Sequence, residues 1–203
     1  MIYIEYITRR AGVSREAFHA VAGRGQAGWA KGYAEDQLIL NLGRTWRVGP
    51  EPEYVSVWYN ENKGLERLGE WEAIFASGEA ASFEDAFFLV ARIDRAGCYE
   101  PLLPPIAGGG GPYYAEFFDI PHGTTREEVR AFFDGRKQSR GGLTLNLVAD
   151  RIGGLGPEPR GVAFWSLPSY AALATVAHDL TDVASPVRIS QAAVYADLGH
   201  EIL

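Results

Sequence analysis

Two carboxylates stand out by their neighbours. Glu5 lies in Ile2-Tyr3-Ile4-Glu5-Tyr6-Ile7, and Glu116 lies in Tyr113-Tyr114-Ala115-Glu116-Phe117-Phe118. A carboxyl group enclosed by aromatic and β-branched side chains loses water, its pKa rises, and it can act as general acid or base near neutral pH. The competing reading is structural. Each Glu could be bonded to a Tyr, Asn or Trp donor, or paired with Arg92, and so fix a seam of the fold. Its appearance twice is what a scaffold position would also give.

Imidazoles are the next groups able to move a proton at neutral pH. His19 follows the apolar Phe18, and Arg130 stands in its place later in the chain. His178 roughly matches Trp71, His122 sits in a turn and His200 lies in the tail. His19 and His178 are kept as catalytic candidates. No His-x-x-x-His or His-x-Glu spacing occurs and Cys98 is the single thiol, so no metal site is expected. Gly108 to Gly111 lacks the Lys-Ser/Thr of a phosphate loop, and no Gly-x-Ser-x-Gly elbow is present. No cofactor is expected.

The elements that hold these residues occur in two copies. Leu40-Asn41-Leu42, Gly49-Pro50-Glu51-Pro52 and Trp58 recur as Leu145-Asn146-Leu147, Gly156-Pro157-Glu158-Pro159 and Trp165. Such a repeat implies tandem units. In the first, strands are expected over residues 2–7, 38–42, 54–59 and 87–93. A helix should follow the N-cap Ser14, and a second should run over 65–75. The order β-α-β-β-α-β is the ferredoxin-like split βαβ arrangement. The second copy repeats it, with strands over 113–118, 143–147, 162–166 and 189–195. Its helices follow the Thr125/Glu128 capping pattern and span 170–180. Residues 1–102 and 112–203 form the two units, and the Pro/Gly-rich 103–111 is the linker. The first copy carries about six extra residues between its first helix and second strand, around Trp29, Lys31 and Tyr33. They are either a lengthened helix, a loop or a lid over a pocket.

Strand alternation then sorts the side chains. If helices cover the faces bearing Ile4, Leu40, Val55 and Val57, the opposite faces line an interior. That interior would hold Tyr3, Glu5, Asn41, Tyr54, Ser56 and Trp58, with Arg92 or Ala91. The second copy would add Tyr114, Glu116, Thr144, Asn146, Ala163, Trp165 and Gln191. Tyr3, Asn41, Trp58, Tyr114, Asn146, Trp165, Trp29 and Tyr33 are therefore the candidate substrate-binding residues. A cavity with aromatic walls and few polar groups suits a small molecule.

The 203 residues are 47% hydrophobic and carry a net charge of −7, which argues against a nucleic-acid partner or an anionic membrane surface. The opening Met-Ile-Tyr-Ile-Glu reads as a strand with no basic leader, and no apolar run is long enough to span a bilayer. A cytoplasmic location is the expectation.

Two fused β-α-β-β-α-β units resemble the dimeric α/β-barrel superfamily. The resemblance rests on the strands around Glu5 and Glu116, the Leu-Asn-Leu strands and the two Pro-rich turns. The opening Met1-Ile2-Tyr3-Ile4-Glu5-Tyr6 looks like the start of NIPSNAP-type and EthD-type members. The resemblance implies an α+β protein whose two sheets close into a barrel within one chain, so that a monomer suffices and a homodimer is optional. Members include cofactor-free monooxygenases, cyclases, isomerases, lyases and haem enzymes, so fold does not choose the activity. The leading expectation is a cofactor-independent isomerase, cyclase or lyase, or a monooxygenase, acting by acid–base chemistry on a small phenolic or polyketide-like substrate in the barrel. The alternatives are a non-catalytic NIPSNAP-like ligand-binding protein and a haem-binding barrel.

Overall fold

The computed structural model describes residues 1–45, 49, 52–176 and 185–198. The first copy comprises β1 (Ile2–Arg9), α1 (Arg15–Gly32), β2 (Gln37–Arg44), β3 (Tyr54–Tyr59), α2 (Glu66–Ala76), α3 (Ala81–Val90) and β4 (Ala91–Pro101). The second comprises β5 (Pro112–Asp119), α4 (Arg126–Ser139), β6 (Thr144–Arg151), β7 (Gly161–Ser166), a 3-10 turn (Tyr170–Ala172), α5 (Leu173–Val176) and β8 (Arg188–Asp197). Local chemistry starts both long helices. The Ser14 hydroxyl accepts from Ala17 N at 3.0 Å, and Thr125 and Glu128 form a complete capping box.

The strands close in the order β1-β3-β2-β8-β5-β7-β6-β4, every neighbouring pair antiparallel where its register is defined. Each copy contributes one ferredoxin-like sheet, β4-β1-β3-β2 or β8-β5-β7-β6. The fold is a dimeric α/β barrel closed within one chain.

The interior of that barrel is not a cavity for ligand. It is packed with Ile2, Ile4, Tyr6, Leu40, Leu42, Val55 and Val57 from the first copy, and with Tyr113, Ala115, Phe117, Phe164 and Tyr195 from the second. The expected assignment of faces is reversed. Tyr3, Glu5, Trp58, Tyr114, Glu116 and Trp165 point outward, under the helices. Alternation separates two faces without saying which turns inward. An eight-stranded barrel is just wide enough to be filled by side chains, so aliphatic and Tyr residues take it. The carboxylates go where helices can supply or withhold donors.

Three further expectations change. Of the strand expected over 87–93, residues 87–90 belong instead to α3, and β4 begins at Ala91. The run Phe87-Phe88-Leu89-Val90 looks strand-like, but Phe83 and Phe87 lie one helical turn apart and both pack inward. The extra residues of the first copy are one added turn of helix and not a loop: α1 has 18 residues where α4 has 14. The two Leu-Asn-Leu motifs are not in register. Leu38 and Leu40 pair with Trp58 and Val57, as Leu145 and Leu147 pair with Trp165 and Phe164. Ile39 is thus the bulge residue equivalent to Asn146, and Asn41 has no match there. The linker ties to both bulges: Ile106 N donates to the Asn146 carbonyl and Gly108 N to the Ile39 carbonyl, each at 2.8 Å.

Candidate functional site

Glu116 shows what this strand position becomes when helix α4 neutralises it. Glu116 is fully buried between Ala163 and Ala192 of the flanking strands. Arg136 donates to both its oxygens at 2.9 and 3.0 Å, Arg140 donates at 3.0 Å and Trp165 Nε1 at 3.0 Å. The Arg140 guanidinium lies 4.6 Å from the Trp165 ring centroid. Charge and hydrogen-bonding capacity are largely met, as a buried ion needs.

Glu5 occupies the same place in β1, between Ser56 and Ala96. It keeps the tryptophan: Trp58 Nε1 donates to Oε2 at 3.1 Å. It lacks the cations. Counted from the caps Ser14 and Thr125, Gly25 stands where Arg136 stands, and Trp29 where Arg140 stands. Among the described residues Glu5 has no ion-pair partner, and no donor but Trp58 is seen on it. Instead it borders a cavity of about 240 Å³, walled by Tyr3, Trp29, Trp58, Trp71, Phe75 and Phe87 among others. Burial pushes the Glu5 carboxyl up to about 7, against a smaller pull downward from the Trp58 hydrogen bond. Burial, and then the nearby Glu5 charge, push the Tyr3 phenol well above its usual range, so Tyr3 stays a neutral donor.

A buried carboxylate fixes the aromatic walls. Asp36 accepts from Trp29 Nε1 at 3.1 Å, Trp71 Nε1 at 2.9 Å, Asn60 Nδ2 at 2.9 Å and Arg67 at 2.8 Å. Burial alone would raise its pKa, but these hydrogen bonds, from Arg67 first, outweigh it and hold Asp36 below the usual carboxylate range. Trp29 stacks on Phe75 with ring centroids 5.8 Å apart, and Trp71 meets Tyr3 at 4.9 Å. The extra helical turn of α1 is what carries the chain from Trp29 to Tyr33 and on to Asp36.

Of the residues expected from sequence, Tyr3, Glu5, Trp29 and Trp58 converge on this cavity. Tyr33 lies outside it and donates to Glu79 Oε1 at 2.8 Å. Asn41 pairs across from Ser56 on the barrel wall. Tyr114 and Trp165 belong to the packed layer of the second copy. Asn146 serves the backbone, accepting from Ser166 N at 3.0 Å and donating to the Ile106 carbonyl at 3.2 Å. His19 does not line the cavity. Its ring edges onto Tyr54 at 5.7 Å, and burial, then Arg15 and Arg9, lower its pKa. Arg92 pairs with Asp94 at 2.5 Å and not with either Glu. His178 lies outside the described residues. Sequence reasoning missed Asp36, Phe83 and the role of Gly25. The available signal was the helix register itself, which sets Gly25 and Trp29 against two arginines.

No protein-family model matches the chain, and no curated protein matches it in sequence. Similar solved structures exist. A haem-binding protein from Thermus thermophilus superposes with a TM-score of 0.61 at 10% identity, covering 99% of this chain and 92% of that one. A protein named as a monooxygenase from Lactobacillus acidophilus gives 0.58 at 10% identity, over 96% and 92%. A chlorite dismutase variant from Candidatus Nitrospira defluvii, complexed with cyanide, gives 0.55 at 9% identity, over 99% and 93%. At such identities the likeness is one of fold. Among the described residues no helix is long and apolar enough to cross a membrane.

Proposed function

We propose that the first copy binds a small, mostly apolar or aromatic molecule between β-sheet and helices, and that Glu5 moves a proton on it without a cofactor. The observation that carries this reading is the contrast between the two glutamates. One fold position, one tryptophan partner and one helix register with different residues, Arg136 and Arg140 against Gly25 and Trp29, give a neutralised Glu116 and, beside a cavity, a Glu5 that has no ion-pair partner among the described residues. A carboxyl poised near neutrality can take a proton as carboxylate and return it to another atom as acid. Tyr3 supplies a neutral donor for a substrate oxygen that gains charge, and the Trp and Phe walls exclude water. Isomerisation, cyclisation and lyase chemistry need these parts and little else. Oxygenation of an electron-rich phenol is a variant, in keeping with the name of one similar structure.

Haem, named for another similar structure, does not suit this cavity. At about 240 Å³ it falls below the roughly 300–1,000 Å³ of drug-sized pockets. Among the described residues no His, Cys or Met lines it, and Tyr3 is held as a phenol rather than a phenolate ligand. No step is therefore assigned to haem.

The test is deuterium wash-in from D2O at the α-carbon of small aromatic ketones, followed by NMR. Wild type should accelerate exchange with an apparent pKa near 7, and Glu5→Gln should abolish it while leaving circular dichroism unchanged. Exchange by Glu5→Gln at the wild-type rate would sink the proposal. Ligand binding by both proteins with no exchange by either would leave a non-catalytic binding protein of the NIPSNAP-like kind.

A further inference from the structure

A second depression of about 420 Å³ runs between α1 and α3, directly beside the Glu5 cavity. Its floor is Gly25, Gly28 and Gly32 of α1, facing Ala80, Phe83 and Ala86 at and along α3. Gly25, Trp29 and Phe83 line both compartments. Phe83 and Trp29 are the side chains that stand between them. A Cβ placed on Gly25 would lie 1.6 Å from Phe83 Cε2, so the Phe83 ring occupies the space where a side chain at position 25 would begin. Phe83 itself is half-buried and packs at a tilt of 45° against Phe87, with ring centroids 5.7 Å apart. The outer rim of the groove is polar, with Arg24, Ser82, Tyr33 and Glu79.

We propose that groove and cavity are two compartments of one site, divided by Phe83 and Trp29, and that the ligand is an elongated amphipathic molecule. Its aromatic or apolar head sits beside Glu5, its tail passes Phe83 onto the glycine floor, and its polar end reaches the Arg24 rim. This rests on the proposed role of Glu5 and names the class of molecule that role would serve. The head compartment alone is undersized for a typical ligand, whereas the two together fall within the usual range. The three glycines are explained as well. Helix interiors disfavour glycine by about 1 kcal/mol each; here Gly25 makes room for the Phe83 ring, and Gly28 and Gly32, where a Cβ would meet nothing within 4 Å, leave room for a tail.

The test uses the whole chain and a series of 4-alkylphenols from methyl to heptyl, with affinity read from tryptophan fluorescence. Wild type should gain about three- to fourfold per methylene once the chain outgrows the head compartment. Gly28→Leu fills the groove without touching the cavity, and a Cβ there meets nothing within 4 Å, so the helix should tolerate it. In that variant 4-methylphenol should bind as in wild type, while the gain with length disappears. Phe83→Ala should keep the gain and begin it at shorter chains. A flat series in wild type, or a Gly28→Leu series as steep as wild type, would overturn the proposal. Glu5→Gln separates the two ideas: it should remove the pH dependence of 4-methylphenol binding and leave the length dependence intact. Unchanged pH dependence in Glu5→Gln beside a wild-type gain with length would overturn the role of Glu5 and leave the groove standing, and a flat wild-type series with the pH dependence lost in Glu5→Gln would overturn the groove and leave Glu5 standing.

Discussion

At the scale of single residues, one amino acid in one fold position has two characters, set by what the helix above it presents. Glu5 holds its proton up to about pH 7 in the native state but only to the ordinary carboxylate range when unfolded. Between those values the native state binds more protons, so stability contributed by protonated Glu5 is full at low pH and falls as pH rises to 7. Glu5→Gln should therefore raise stability at pH 8, on the order of 1–3 kcal/mol, and flatten denaturant midpoints across roughly pH 5–7. Glu116→Gln should do the reverse. It strands two buried guanidinium groups and should cost about 3–5 kcal/mol by chemical denaturation. Both carboxylates were legible from their aromatic surroundings. Their difference was not, because it lies in Gly25 and Trp29, which look like ordinary helix residues until the caps Ser14 and Thr125 are set in register.

At the scale of elements, helix α1 differs from α4 by one turn and by the residues it hangs over the sheet. Trp29→Arg should return to Glu5 the cation that Arg140 gives Glu116. Its carboxyl should then titrate in the ordinary range by 13C NMR, and affinity for 4-methylphenol should fall at least tenfold. Asp36 joins α1, the turn after β3 and α2 through Trp29, Asn60 and the α2 residues Arg67 and Trp71. Asp36→Asn should cost about 3 kcal/mol by leaving Arg67 with a weakened buried partner. It should also red-shift tryptophan emission as Trp29 and Trp71 loosen. The β-α-β-β-α-β order and most strands were readable from alternation and turn residues. Helix α3 was not, since its aromatic run satisfies strand propensity and only the partners of Phe83 and Phe87 decide for helix.

At the scale of the whole molecule, duplication and closure were visible in the repeated Gly-Pro-Glu-Pro and Trp spacing, but the orientation of the sheets was not. It follows from filling a narrow barrel, a property of eight strands together. The seams between copies are short, Leu42–Arg44 on Tyr195–Asp197 and Tyr99–Pro101 on Ala149–Arg151. Hydrogen exchange should reach seam amides such as Gly43 and Glu100 before those at the centre of β1 and β5, a difference mass spectrometry can resolve by peptide. The arginine-clamped Glu116 has a wider meaning. A duplicated gene product can keep one half conservative and let the other experiment. The second half holds its sheet to its helix through Glu116, whereas the first half has moved that duty off the sheet to Asp36 and leaves Glu5 free of it. Changes along the inward side of α1, matched by adjustment of Phe83, can then alter what is bound with the barrel interior untouched, whereas the matching changes in α4 strand a buried carboxylate. Directed evolution on this scaffold should find its new specificities in residues 25–29, and only loss of fold in residues 136–140.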